Sequence, residues 1–249
     1  MSKEDLKNIK LIIAYKGTNF KGWQKQNNTR GIQGELERAC EKAFKKDSIE
    51  IIGSGRTDAG VHAMAQVANF IVESNIPIEK YPEIINRYLP DDIAIVDAEE
   101  VDMEFHSRYL AHRKTYKYMI YPAKLRNPFY NDISYHVRKE LDFEKMKKSI
   151  KDLEGEHDFR GFMSTGSSVK TSVRRIYRAD IYREGELIVI EVEGSGFLYN
   201  MVRIIAGTLV DIGKGKITES LSEIIKSGDR KRAGHTAPAQ GLFLKSVDY

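Results

Sequence analysis

One order of elements runs through this chain twice, and that repetition limits the fold more than any single motif. Residues 8–17 (NIKLIIAYKG) are apolar and β-rich, the pattern of a strand. Residues 31–46 place Ile32, Leu36, Ala39 and Ala43 on one stripe of a charged helix. SIEIIGS (48–54) and MAQVANFIV (64–72) read as strands on either side of a glycine-rich loop. Residues 76–90 form a helix with Tyr81, Ile84, Ile85 and Tyr88, with Pro82 in its first turn and Pro90 as its stop. Residues 92–101 complete β-α-β-β-α-β.

The second pass begins with the strand KTYKYMIY (114–121) and a helix over 142–155, with Asp142 as N-cap and Gly155 as C′ residue. A hairpin over 173–194 turns at REGE. A long helix starts at FLYN (197–200), with Leu198, Met201, Val202, Ile205 and Leu209 on one side, and ends near Gly213. A short helix from Thr218 to Lys226 and a last strand, GLFLKSVDY, close the chain. The pattern predicts an α+β protein of two tandem ferredoxin- or RRM-like halves, 1–105 and 106–249. Each half has an antiparallel sheet with helices on one side, and no low-complexity linker marks the seam. A cleft between the halves is expected.

With 41% hydrophobic and 31% charged residues in 249, the chain has the composition of a soluble globular protein. No stretch reaches the roughly 20 apolar residues of a membrane span, so no membrane partner is expected. The opening MSKEDLKNIK is polar, unlike a secretory signal, and the single cysteine, Cys40, can form no internal disulfide. These features predict a cytoplasmic protein, with Cys40 as a small core or boundary residue of its helix. Forty basic residues against thirty-six acidic ones leave a net charge of only +4, so distribution matters more than total. Basic and aromatic residues interleave in SRYLAHRKTYKYMIY (107–121) and VRRIYRADIYR (173–183), and basic residues cluster in DRKRAGH (229–235). Cations neutralise phosphates and rings stack on unpaired bases, which points to a nucleic-acid partner. Arg108 and Lys114 are candidate contacts.

GSGRTDAGVH (53–62) surrounds Asp58 with three glycines. It is not a phosphate-binding P-loop, because Val61 and His62 replace the required Lys and Ser/Thr. A dinucleotide fingerprint needs glycine where Asp58 stands. Histidines at 62, 106, 112, 136, 157 and 235 are scattered, and no metal-ligand spacing is visible. A carboxylate on so stiff a loop can cap a turn, or serve as nucleophile or general base.

GSGRTDAGVHA resembles the signature of the tRNA pseudouridine synthase A family. AYKGTNFKGWQKQ (14–26), NRYLPDDIAI (86–95), FHSRYLAHRKTYKYMIY (105–121), GSGFLYNMVRIIAGTLVDIGKG (194–215) and AQGLFLKSVDY (239–249) resemble further blocks of that family in the same order. Ser107 departs from the alanine many members carry there. The resemblance implies two α+β subdomains forming a basic cleft, a homodimer gripping one tRNA, and uridines 38 to 40 of the anticodon arm as targets. It also implies no cofactor: uridine and pseudouridine are isomers, so neither a redox group nor ATP is needed.

By the same resemblance Asp58 is the nucleophile, attacking C6 or the ribose C1′ or assisting a glycal route. An aspartate ordinarily titrates near 3.9, so it is charged at neutral pH. Arg203 matches the cation that keeps it so, Tyr116 the ring that stacks on the target base, and Arg56 the residue that fills the gap left by the flipped nucleotide. His62 and Gln66 are further candidates for RNA contacts. Two rival readings come from the residues themselves. An RNA-recognition module would carry an aromatic G-F/Y-G/A-F-V strand, which is missing here. A ferredoxin-like enzyme of small molecules would leave the basic, aromatic segments without a use.

Overall fold

The computed structural model describes residues 6–166 and 169–249; the polar residues 1–5 lie outside the described residues. The chain forms two compact units. One takes the chain up to His112 together with Leu244–Tyr249, and the other is Arg113–Phe243. The division thus falls beyond the expected 105/106, and the C-terminus returns to the first unit. The physical reason is a set of bonds made there: the His112 N–H donates to the Asp248 carbonyl at 3.1 Å and the Tyr249 hydroxyl to the Ser107 carbonyl at 2.7 Å.

The first unit follows the expected order: β1 (Leu6–Tyr15), α1 (Ile32–Phe44), β2 (Ile52–Gly53), β3 (His62–Glu73), α2 (Tyr81–Asn86) and β4 (Ile93–Val101). Strand β1 is central and pairs antiparallel with β3 and β4, while the two-residue β2 pairs with β3. Ile9, Leu11, Ile13 and Tyr15 alternate along β1 and are all buried, as one core-facing side of a strand should be. Under α1, Phe44 packs on Phe70 and Tyr81 with ring centroids 5.7 and 4.8 Å apart. Cys40 is buried on α1 as expected, and burial pushes its thiol well above the ordinary range.

The second unit contains β5 (Arg113–Pro122), β6 (Tyr135–Val137), α3 (Phe143–Ile150), β7 (Gly155–Asp158), β8 (Val173–Glu184), β9 (Leu187–Gly194), α4 (Met201–Gly213) and α5 (Leu221–Ser227). The last strand, β10 (Leu242–Asp248), starts here and from Leu244 belongs to the first unit. Strand β9 pairs antiparallel with β5 and β8, β8 with β7, and the short β6 runs parallel to β5. Strands β6 and β7 are additions that hydrophobic periodicity does not signal, so the second unit is not a plain copy of the first.

Asp142 caps α3 by accepting the Lys145 N–H at 3.0 Å. Gly155 is not that helix's C′ residue. A 3-10 turn at Lys151–Leu153 intervenes, and Gly155, with φ +109°, opens β7 instead. The hairpin turns at Gly185 and Glu186, with Gly185 at φ +59°, the left-handed value that tight hairpins demand. Helix α4 begins at Met201 rather than Phe197, because Asn200 adopts a left-handed backbone that a helix cannot include.

Candidate active site

The loop between β2 and β3 owes its shape to the segment that follows β1. Trp23 donates its backbone N–H to the Thr57 carbonyl at 3.0 Å, and Gly60 donates to the Phe20 carbonyl at 3.3 Å. The Tyr15 and Thr57 hydroxyls are 2.8 Å apart. Inside the loop the Val61 N–H returns to the Asp58 carbonyl at 3.1 Å, closing a turn around the carboxylate-bearing residue. Two glycines allow this approach. A Cβ on Gly53 would stand 2.5 Å from the Trp23 ring, and one on Gly22 would stand 2.6 Å from the Thr57 carbonyl. The sequence blocks 14–26 and 53–62 are therefore one structural feature, a loop and its brace.

Within that loop Ser54, Thr57, Val61 and His62 are buried, while Arg56 and Ala59 are exposed and Asp58 is half-buried. Anchors on both sides thus present Asp58 from a backbone with little freedom to move. His62 and Gln66, read above as candidates for RNA contacts, are buried beneath the loop. His62 is 1% exposed and its Nδ1 accepts the Gly17 N–H at 3.0 Å. Gln66 is 0% exposed; its amide accepts from the Ser54 hydroxyl at 2.5 Å and donates to the Gly55 carbonyl at 3.0 Å. Both are braces of the loop, since a side chain with no surface cannot touch RNA without rearrangement.

Ser107 is fully buried, and its hydroxyl donates to the Ile52 carbonyl at the foot of the same loop. That bond accounts for a hydroxyl where alanine would also fit. Arg108 is exposed, with its guanidinium 5.9 Å from the Tyr109 ring, itself 75% exposed. A cation and an open ring side by side match the chemistry of a nucleic acid's phosphates and bases.

In the second unit Tyr116 lies on β5 opposite Val192, with Lys114 opposite Gly194 two residues earlier. Both are half-buried. The Tyr116 ring meets Phe197 edge-on, with centroids 5.0 Å apart and planes at 82°. On α4 twelve of thirteen residues are buried and Arg203 is the exception. Its Nε donates to the Ala237 carbonyl and its Nη1 to Asn200 Oδ1, each at 2.8 Å. Asn200 and the Tyr15–Thr57 hydroxyl pair escape sequence reading, because neither has a signal in periodicity or composition. Among the described residues no group of three or more His, Cys, Asp or Glu side chains could hold a metal ion, and no helix is long and apolar enough to cross a membrane.

Comparison with known proteins gives a family match described as tRNA pseudouridine synthase over residues 11–110 and 149–249. Asp58 falls in the first stretch and Arg203 in the second, whereas Lys114 and Tyr116 fall between them. The chain is 49% identical over 245 residues to a tRNA pseudouridine synthase A of Acetivibrio thermocellus, covering 98% of this chain and 100% of that one. It is 50% identical over 245 residues to the tRNA pseudouridine synthase A of Clostridium botulinum (strain Eklund 17B / Type B), with the same coverage. To a tRNA pseudouridine synthase A 2 of Clostridium tetani it is 48% identical over 246 residues, 98% of this chain and 99% of the relative.

Proposed function

The chain belongs to the tRNA pseudouridine synthase family, and from that premise we propose that it isomerises uridines 38 to 40 in the anticodon arm of tRNA, with Asp58 as nucleophile and without a cofactor. One observation carries the assignment of Asp58: a half-buried carboxylate on a loop tied by backbone bonds to Trp23 and Phe20. A nucleophile must meet its target without reorganising, and a rigid, accessible loop supplies that.

The chemistry asks for little else. The N1–C1′ bond breaks, the uracil turns, and a C5–C1′ bond forms; C5 then loses its proton while N1 gains one. Nothing is oxidised or hydrolysed. Asp58 stabilises the sugar or base fragment, through C6, through C1′ or by a glycal route. Tyr116 stacks on the loosened uracil, worth about 1–3 kcal/mol, and keeps it from leaving. Arg203 takes the role the family likeness gives it, the cation that favours the ionised carboxylate. Flipping costs about a few kcal/mol in lost stacking, and Arg56, exposed beside the buried Thr57, offsets it by filling the space the nucleotide leaves. Asp58, Tyr116 and Arg203 serve the target nucleotide, with Arg108 and Lys114 on the phosphates. The protein acts as a cytoplasmic homodimer that grips one tRNA.

The test is incubation of the purified chain with an unmodified tRNA transcript, followed by pseudouridine mapping. Product confined to positions 38–40, formed equally in the presence of a chelator, is expected. Product at other positions would refute the site assignment, and tight binding with no product would leave an RNA-binding module instead.

A further inference from the structure

Helix α4 begins without a side-chain cap from Asn200, the residue before its first turn. Asparagine at an N-cap ordinarily accepts an N–H of the first helical turn through its side chain, from an extended backbone. Asn200 does neither: its side chain makes no capping bond, and its backbone is left-handed at φ +61°, ψ 7°. Left-handed geometry is costly for most residues and tolerated by asparagine. A forgone cap and an unfavourable backbone need some other contact to hold them in place.

The amide is used sideways. Its Oδ1 accepts from Arg203 Nη1 at 2.8 Å and its Nδ2 donates to the Ser164 hydroxyl at 3.0 Å. A guanidinium has donors only, so it selects the oxygen end of the amide, and the NH₂ then falls to Ser164. Ser164 is itself fixed by its N–H, which donates to the Tyr199 carbonyl at 3.1 Å. On its other edge, Arg203 Nε donates to the Ala237 carbonyl at 2.8 Å, and the Ala237 N–H donates to the Arg203 carbonyl at 3.1 Å. A planar group held at two of its edges cannot turn about its own stem.

We infer that Asn200 is a positioning residue for Arg203: its left-handed backbone turns the amide away from the helix cap so that Oδ1 and the Ala237 carbonyl together fix the guanidinium plane. The inference rests on the proposed role of Arg203 in the reaction. If Asn200 served the backbone alone, glycine would replace it without loss, since glycine adopts φ +61° freely. If the amide matters, glycine fails and aspartate, which keeps the acceptor and tolerates the backbone, succeeds.

Single-turnover pseudouridine formation on an unmodified tRNA transcript reads the difference. Asn200→Gly is expected to slow the chemical step by about tenfold or more, as misplaced reacting groups do, with tRNA affinity within about threefold of the parent. Asn200→Asp is expected to stay within about threefold of the parent rate. The guanidinium NMR signals of Arg203, assigned by their disappearance in Arg203→Lys, give a second readout independent of turnover. Resolved, slowly rotating Nη protons are expected in the parent and in Asn200→Asp, and averaged ones in Asn200→Gly. A parental rate for Asn200→Gly, equal losses in both variants, or a guanidinium spectrum unchanged by Asn200→Gly would each overturn the inference. Should the parent chain form no pseudouridine at all, the proposed function falls, and the guanidinium spectrum still decides the clamp.

Discussion

The Tyr15 hydroxyl lies 2.8 Å from the Thr57 hydroxyl, both side chains are buried, and Thr57 directly precedes Asp58. A bond of this kind spans forty-two positions of sequence to hold the residue beside the carboxylate. Removing one partner leaves a buried hydroxyl unsatisfied, which costs about 1–3 kcal/mol. Tyr15→Phe is therefore expected to lower stability by that order and, because Thr57 gains freedom, to slow the chemical step several-fold. Urea unfolding and single-turnover rates measured together check it; a stability loss with an unchanged rate would mean that the loop does not depend on this bond for its aim.

Asp58→Asn replaces a half-buried carboxylate by an amide of nearly the same shape. The loop keeps its backbone anchors, so the variant should still fold with a cooperative unfolding transition. An amide is no nucleophile, and pseudouridine formation should vanish while tRNA binding stays within about tenfold, since the carboxylate adds nothing to phosphate contacts. Product from Asp58→Asn at a rate near the parent's would remove the residue from the mechanism.

Two glycine substitutions should act in opposite directions. A Cβ at Gly53 meets the Trp23 ring at 2.5 Å, and the ring is buried, so neither partner can yield cheaply. Gly53→Ala is expected to destabilise by about 1–3 kcal/mol, as overpacking does. In α1, a Cβ at Gly34 meets only the flexible Lys25 side chain at 3.5 Å, an ordinary contact. Gly34→Ala should gain about 0.5–1 kcal/mol through helix propensity. Thermal melting of the two variants beside the parent distinguishes a loop held by close contact from one that glycine merely loosens.

The sequence carries the elements better than the contacts between them. Alternation in residues 8–17 and the stripe Ile32, Leu36, Ala39 locate β1 and α1 because burial on one side leaves a periodic trace. The three-residue β6 is too short to show a period. Periodicity starts α4 too early because Leu198 is buried like a helical residue, while the break at Asn200 lies in a dihedral angle that composition does not record. Asp58 stands out because glycine spacing is visible along the chain. Its brace, Tyr15 with Trp23, does not, since contact between residues so far apart has no local signature. His62 and Gln66 look available in the sequence only through their proximity to Asp58, which is not proximity to substrate; burial assigns them to the loop's support.

Asp158, at the end of β7, accepts from the Arg160 guanidinium, from the Ser172 hydroxyl at 2.5 Å and from the Arg160 N–H at 3.1 Å. The Arg160 bond first, then Ser172, hold its carboxyl down at about 2, against an ordinary 3.8. A carboxyl depressed in the folded state stabilises the fold at any pH above its unfolded value, and the contribution disappears as pH falls through the folded value. Stability from this cluster is thus complete above about pH 4 and gone below about pH 2. With the Asp158 side chain 32% and Arg160 66% exposed, solvent screening limits the contribution to about 1 kcal/mol. Asp158→Asn should unfold at a lower urea concentration than the parent between pH 5 and 8. The gap should narrow from about pH 4 downward and close near pH 2. A gap constant down to pH 2 would mean that the substituted amide disturbs packing there, with charge playing no part.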